Sequence, residues 1–479
     1  MSFFSFQFLI FISISFVIYH AIPAKFRHLW LLLCSYVFYA MFDWKYLAVL
    51  ILVTLVSYYC AKLVGTGRKK TGLLIGIISI ILILFIFRFP DFWASGVSVL
   101  FGGKDSQLFR AENIIAPVGL SFYTLEAIGY IADAYRNDGS TIVHPDIFQY
   151  ALFLSFFPKI MSGPVERSSS LLRQIINTPG FSFELAKCGL FKIFGGYYIK
   201  LLIADRIADV IVPIYDSYLD YPGATLFAAS VLYSIQLYAD FKGYCLIANG
   251  IGNLFGFELI QNFKQPYLSQ GIGEFWSRWH ISLSGWLRDY VYIPLGGNRK
   301  GTIRQWINLL ITFVVSGFWH GRGHNFLFWG LLHGFYQVMA NIRKRYFPGS
   351  DKKALRVISI FISFILVDLA WIFFTLPSVM HSVRIIKRIF LEFNISQAIS
   401  QPYFLYTYGT VAAVLLCINV LLFFGTDILH EKGITVREYL NGSRRPVRWM
   451  AYLVMSAVFI ISLLRYYGAE TSSFIYALF

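Results

Sequence analysis

The sequence predicts an all-α, polytopic integral membrane protein, and three observations lead there. Of 479 residues, 57% are hydrophobic and 14% charged, where soluble domains carry about 25% charged residues. Long runs contain no Asp, Glu, Lys or Arg: 1–24, 71–87, 221–239, 323–342 and 393–426. A bilayer-spanning helix needs roughly 20 mostly apolar residues, and several of these runs supply them. Finally, the basic residues between the runs gather in particular loops, as they do when Lys and Arg collect on the cytoplasmic side of a membrane.

Taken in order, candidate spans run near 3–20, 28–42, 46–64, 71–88, 114–133, 147–161, 186–205, 224–245, 305–320, 324–341, 356–377, 403–425 and 449–466. At roughly 20 residues per crossing this gives roughly 11–13 membrane helices. The first run lacks a basic n-region, so it reads as a retained helix and not a cleaved signal peptide. Between 114 and 161, Pro117, Gly119, Gly129, Pro158 and Gly163 interrupt the pattern, which suits broken or re-entrant helices buried in protein. Neither an internal repeat nor a polar linker divides the chain. It reads as one membrane domain, with N-terminal helices over 1–112, a core over 113–345 and C-terminal helices over 346–479.

The loops orient it. "AKFRH" (Lys25, Arg27) and "GTGRKKTG" (Arg68, Lys69, Lys70) are basic, and "FDWK" between them is balanced. The N-terminus is therefore expected outside the cytoplasm, with Gly67 on the cytoplasmic side. "NIRKRYFPGSDKKALR" (341–356) and "HEKGITVREYLNGSRRPVR" (430–448) are strongly basic, which places Lys352 and Asn441 in the cytoplasm and Phe479 outside. The net charge of +16 then reports topology and anionic lipid, not nucleic acid. The five cysteines, Cys34, Cys60, Cys188, Cys245 and Cys417, show no metal-ligand spacing and read as small core residues.

One stretch breaks the oily pattern. "EFWSRWHISLSGWLRDYVYIPLGGNRKG" (274–301) carries Trp276, Trp279, Trp286, Arg278, His280, Arg288, Arg299 and Lys300. The inferred topology puts it at the cytoplasmic face, where Trp belongs at headgroup level. Short amphipathic helices anchored to anionic lipid explain the "NRKG" turn. The Arg-Trp-His run and the adjacent Arg288 and Asp289 point further, to a fixed and buried polar network.

The histidines concentrate nearby. His20, His28, His144, His381 and His430 lie in loops or at span ends, whereas His280, His320, His324 and His333 cluster. His320 closes the apolar run "NLLITFVVSGFWHG", and an intramembrane ionisable residue points to function. Gly317 and Gly321 beside it allow a ligand or another chain close to the backbone. A neutral imidazole suits the acceptance of a hydroxyl proton at neutral pH. His333, in "WGLLHG", reads as a second polar contact. His320 and His324 share the i,i+4 spacing of zinc-binding helices, but no acidic residue lies between them and no third ligand follows, so no metal is expected. "PLGGNRKG" lacks the strand, lysine spacing and helix of a phosphate loop.

These residues resemble the membrane-bound O-acyltransferase (MBOAT) family, in particular its bacterial alginate and peptidoglycan O-acetyltransferase-like branch. The resemblance covers nearly the whole chain. It runs through "PVGLSFYTLEAIGYIADAYR" (117–136), "FFPKIMSGPVER" (156–167), "YSIQLYADFKGY" (233–244), "NFKQPYLSQGIGEFWSRWHISLSGWLRDYVYIPLGGNRKG" (262–301), "GFWHGRGHNFLFWGLLHG" (317–334) and the terminal "FIYALF". It implies helices around a central funnel or tunnel, with His320 of the WHG motif as catalytic base. His280 of the RWH motif would be the second functional histidine, nearer the cytoplasmic entrance. Two departures stand out: Lys242, Cys245 and Leu246 replace polar or acidic residues of the family's Asp-Phe-Ser-Gly-Tyr-Ser-Asp, and Thr375 stands where relatives commonly carry Arg.

The implied donor is a cytoplasmic acyl thioester such as acetyl-CoA, with no tightly bound cofactor. Trp276, Arg278, Trp279, Arg288, Asp289, Trp319 and His333 are the expected donor- or substrate-binding residues, the arginines meeting CoA phosphates through charge-assisted bonds. The acceptor would be an extracytoplasmic polysaccharide, alginate-like or peptidoglycan, reached through an SGNH-type acetyltransferase or esterase partner, in the cytoplasmic membrane of a bacterium. D-alanyl transfer to teichoic acid shares the RWH and WHG motifs and stays open, as does a non-catalytic conduit, transporter or scaffold.

Overall fold

The computed structural model describes residues 3–92, 116–136, 145–346, 353–400 and 403–466, and among these there are helices and no strand. Lys352, Phe479, His144 and the terminal "FIYALF" lie outside the described residues. Every apolar run read from the sequence holds a helix. Among the described residues, four helices are long and apolar enough by themselves to cross a bilayer: Trp44–Gly65, Lys69–Arg88, Ala354–Thr375 and Gly409–Glu431. The chain divides into two units, Met1–Gly189 with Ala248–Ile260, and Leu190–Ile247 with Gln261–Phe479.

The first unit begins with α1 (Phe6–Ala21), α2 (Ala24–Ala40), α3 (Trp44–Gly65) and α4 (Lys69–Arg88). Side-chain oxygens of Ser5 and Asp43 cap the first turns of α1 and α3, satisfying backbone donors that a helix start leaves open. Gly72 and Gly76 press α4 against Cys60 of α3, the close approach that small residues permit where lipid supplies no hydrophobic drive between helices. After α5 (Leu120–Arg136), α6 (Ile147–Ser155) has only nine residues, about 13 Å at 1.5 Å per residue. It stops short of Pro158, as the broken pattern suggested.

A buried polar knot holds this region. Glu126 of α5 forms an ion pair with Lys159, both about 2% exposed. The Glu126 carboxylate also accepts the Glu166 N–H at 2.8 Å, and Glu166 accepts the Ile260 N–H at 2.7 Å. The "FFPKIMSGPVER" segment is thereby tied to α5 and to the backbone at Ile260.

The second unit contains most of α7 (Phe183–Ile199), which continues through a π-helical turn at Lys200–Ala204 into α8 (Asp205–Asp216). The long α9 (Gly223–Leu254) follows, with 32 residues where the sequence suggested a stop near 245. Within it the Lys242 ammonium is buried 2.5 Å from Asp427, whose other oxygen accepts the Tyr238 hydroxyl at 2.8 Å. Lys200 is likewise buried between Asp205 at 2.7 Å and Asp240 at 2.6 Å. Paired charges of this kind let a helix continue through an apolar environment.

Two seven-residue helices, α10 (Ile272–Arg278) and α11 (Ile281–Leu287), precede the antiparallel pair α12 (Thr302–His320) and α13 (His324–Tyr346). Gly317 and Gly330 set the contact of that pair: a methyl on Gly317 would fall on the Phe326 carbonyl and 3.3 Å from Gly330 Cα. Longer helices or helical turns that follow include α14 (Lys353–Thr375), α15 (Val379–Leu391), α16 (Tyr403–Glu431), α17 (Val436–Gly442) and α18 (Arg445–Tyr466). α15 is amphipathic, burying Ser382, Ile385 and Ile389 while Arg384 and Lys387 face out. Cys34, Cys60 and Cys245 are core residues as expected; Cys417 is exposed on α16 and is not.

Candidate active site

His320 is the last residue of α12, 2% exposed. Gly321 leaves the helix in an extended conformation, so the imidazole sits at the mouth of the α12–α13 turn. Three rings box it: Trp319 at 4.8 Å between centroids, Trp329 of α13 at 5.0 Å and Phe374 of α14 at 5.3 Å, each near edge-to-face. Gly317 admits the facing helix and Gly321 lies against the Phe326 ring. Of the two approaches the sequence allowed, it is a neighbouring part of the chain that comes close to these glycines. His324 is exposed on the first turn of α13, and the break in the helix at 321–323 removes the helical face that i,i+4 spacing would give the two histidines.

His333 lies one turn along α13 from Trp329, fully buried, with ring centroids 4.9 Å apart. The Trp276 indole N–H donates to His333 Nδ1 at 3.3 Å. Trp371 of α14 stacks on Trp329 at 5.6 Å and meets Trp279 at 5.1 Å. Trp276, Trp279, Trp329 and Trp371 thus make a continuous indole wall from α10 to the ring of His320.

His280 sits between α10 and α11, 1% exposed, against Phe241 at 4.7 Å and Trp319 at 6.2 Å. Trp319, half-buried, therefore separates the two histidines that the motifs single out. The His280 backbone is left-handed, φ 43° and ψ 53°, which a residue with a Cβ adopts at a cost of order 1–3 kcal/mol. Asn262 enforces it. Its carbonyl accepts the Ile281 N–H at 3.0 Å and its side-chain oxygen accepts the Ser282 N–H at 3.2 Å. Its amide nitrogen approaches Cys245 Sγ at 3.4 Å, which gives that departure from the family pattern a place in the site. Sequence reading passed over Asn262, because a single Asn in a loop carries no periodic signal. Asn262→Ala should release the His280 backbone and reduce activity at least tenfold while the protein remains folded. Activity per folded molecule, measured beside the thermal midpoint in detergent, checks it.

The arginines fall out differently. Arg278 forks onto Glu431 at the end of α16, at 2.7 and 2.9 Å, and also meets Glu274 at 2.6 Å. Two carboxylates hold it, so it staples α10 to α16 and would have to exchange partners to take a phosphate. Arg288 and Asp289 do pair, at 2.8 Å, but the Arg288 side chain is 67% exposed. The buried network expected for this pair is therefore absent; exposed pairs of this kind contribute about 0–1 kcal/mol. Arg299 and Lys300 are exposed too, in a turn built on positive φ at Gly296, Gly297 and Gly301 and held by the Asn308 amide on the Gly297 carbonyl at 2.9 Å.

Sequence reading also missed Asp368. This carboxylate of α14, 1% exposed, accepts the Ser234 hydroxyl at 2.5 Å and lies 2.8 Å from Ser230 Oγ. It stands one turn from Trp371 and anchors that part of the indole wall to α9.

The arrangement joins a buried imidazole, a second imidazole and a wall of indoles in one apolar enclosure. It can accept a hydroxyl proton away from bulk water.

The family model described as "MBOAT, membrane-bound O-acyltransferase family" matches residues 31–382. A Pseudomonas putida protein named "Probable alginate O-acetylase AlgI" is 32% identical over 480 residues, 98% of this chain and 97% of the relative. A Helicobacter pylori "Peptidoglycan O-acetyltransferase" is 32% identical over 393 residues, 76% and 73% of the two chains. A Bacillus subtilis "Teichoic acid D-alanyltransferase" is 29% identical over 250 residues, 49% of this chain and 61% of the relative.

Proposed function

The chain belongs to the membrane-bound O-acyltransferase (MBOAT) family and is an acyltransferase, and from that premise we propose that it transfers an acetyl group from a cytoplasmic thioester, acetyl-CoA, to a hydroxyl on the way to an extracytoplasmic polysaccharide. The observation that carries this reading is His320, buried at the end of α12 among Trp319, Trp329 and Phe374. Its role is that of general base. The acceptor hydroxyl loses its proton to the imidazole as its oxygen attacks the thioester carbonyl, assistance worth typically 10²–10⁴-fold in rate. The surrounding rings exclude water, which protects the thioester from hydrolysis. The donor's acyl arm passes along Trp276 and Trp279, and the cationic layer from Arg278 to Lys300 attracts its phosphates.

The acetyl branch is favoured over D-alanyl transfer by length. The alginate O-acetylase from Pseudomonas putida aligns over 98% of the chain, the teichoic acid enzyme over 49%. A partner of the SGNH esterase type completes delivery to polymer outside a bacterial cytoplasmic membrane. The test is chemical. In a strain lacking this protein, base-labile acetate should fall in exopolysaccharide or peptidoglycan and return on complementation. Unchanged acetate with a loss of D-alanyl ester would replace this reading by the teichoic acid one.

The donor's side follows from orientation. Single cysteines at Gly67 and Asn441, in a background without native thiols, should react with an impermeant maleimide only after the cytoplasmic face is opened, and one at Asp43 should react in intact cells. Labelling at Gly67 in intact cells reverses the orientation, and with it the side from which the thioester enters.

A further inference from the structure

Resting on the acyl-transfer reading, we propose that the indole N–H of Trp329 and the Nε2–H of His333 form the pair of donors that receives the acyl carbonyl oxygen beside His320.

The assignment starts from proton bookkeeping. An indole nitrogen only donates, so the Trp276 N–H directed at His333 Nδ1 at 3.3 Å makes Nδ1 the acceptor. The proton of the neutral His333 ring is then on Nε2. His333 is fully buried, and its Nε2 has no hydrogen-bond partner among the described residues. Trp329, also fully buried, has an Nε1–H in the same condition. A buried donor left unmade is destabilising by about 1–3 kcal/mol, and native proteins rarely keep one without a use. Here two occur on adjacent turns of one helix, with their rings 4.9 Å apart, and the Trp329 ring stands 5.0 Å from the His320 ring.

Two neutral N–H groups with no acceptor between them match an oxygen that begins as a carbonyl and gains charge. Trp276 sets the tautomer, and Trp371, stacked on Trp329 at 5.6 Å, sets the indole plane. Both donors are fixed before the ligand arrives, which is the condition for transition-state stabilisation by dipoles in a dry site.

The acceptor O–H bond breaks and its proton goes to His320. The hydroxyl oxygen bonds to the thioester carbon, and the C=O π pair moves to oxygen, giving an anion that accepts the Trp329 and His333 N–H groups. The intermediate collapses by breaking C–S. The electron pair leaves on sulfur, His320 returns the proton to it, and ester and thiol result.

The test is steady-state acetyl-CoA turnover by the full chain in nanodiscs, in four variants with a thermal midpoint for each. Trp329→Phe keeps the ring and removes the N–H; kcat should fall 10²–10³-fold, the range for loss of one such donor, with KM for acetyl-CoA within about threefold. His333→Gln, which restores an N–H, should retain at least tenfold more kcat than His333→Leu. A wall that only packs would leave kcat of Trp329→Phe unchanged and would make the two His333 variants equal; either result overturns the assignment. If Trp329→Phe does not fold, the His333 pair decides alone. His320→Ala separates the two readings: inactive beside a fully active Trp329→Phe, it sinks the donor pair and spares the base. Wild-type protein inert toward acetyl-CoA removes both.

Discussion

His320→Ala should abolish acyl transfer while the protein still inserts and folds. General-base assistance is worth typically 10²–10⁴-fold, and His320 is the imidazole set edge-on against Trp319, Trp329 and Phe374 together. His280 lies beyond Trp319, at 6.2 Å from that indole, and cannot replace it without moving a left-handed backbone. Alanine also leaves a void among three rings, so His320→Gln, which keeps volume and polarity without the base, is the paired control. Both variants should lie at the assay floor, with detergent-extracted yield near wild type. Transfer above a tenth of wild type in either variant removes His320 from the chemistry.

Lys200→Met should be the most destabilising single change outside the indole wall. The ammonium is 1% exposed and bridges Asp205 and Asp240 at 2.7 and 2.6 Å. Removing it leaves two carboxylates facing one another in an apolar interior. Breaking a buried pair by deleting one partner typically destabilises by about 3–5 kcal/mol, and here two carboxylates lose the same ammonium. Folded yield should drop severalfold and the thermal midpoint in detergent should fall by many degrees. Arg288→Gln, which cuts an exposed pair, should leave both unchanged. A Lys200→Met protein that melts with wild type would mean that the two carboxylates find other partners.

Much of the fold was legible because membrane helices write themselves into composition. Each charge-free run from 1–24 to 393–426 produced a helix, and Pro158 ended α6 where it should. The WHG and RWH motifs likewise marked the two histidines that share Trp319. What escaped was held by partners distant in sequence. Lys242 shows in the sequence only as a departure from the family pattern, and its partner Asp427 lies 185 residues later. Asp368 finds its hydroxyls on Ser230 and Ser234, 138 and 134 residues away. Arg288 failed in the opposite sense. Its neighbour Asp289 suggested a buried network, yet adjacency in sequence carries no information on exposure: at the π-helical turn Arg288–Tyr292, Arg288 is exposed and Asp289 half-buried. Asn262 was silent because its work is done by backbone geometry at His280, which no residue pattern announces.

The most direct measurement is acetyl transfer in inverted membrane vesicles that contain this protein, supplied with labelled acetyl-CoA from the exposed cytoplasmic face. The account predicts base-labile acetyl label in the macromolecular fraction, dependent on time and donor, and absent from vesicles carrying His320→Ala. Label no higher than in vesicles lacking the protein, or equal label with His320→Ala, would contradict it.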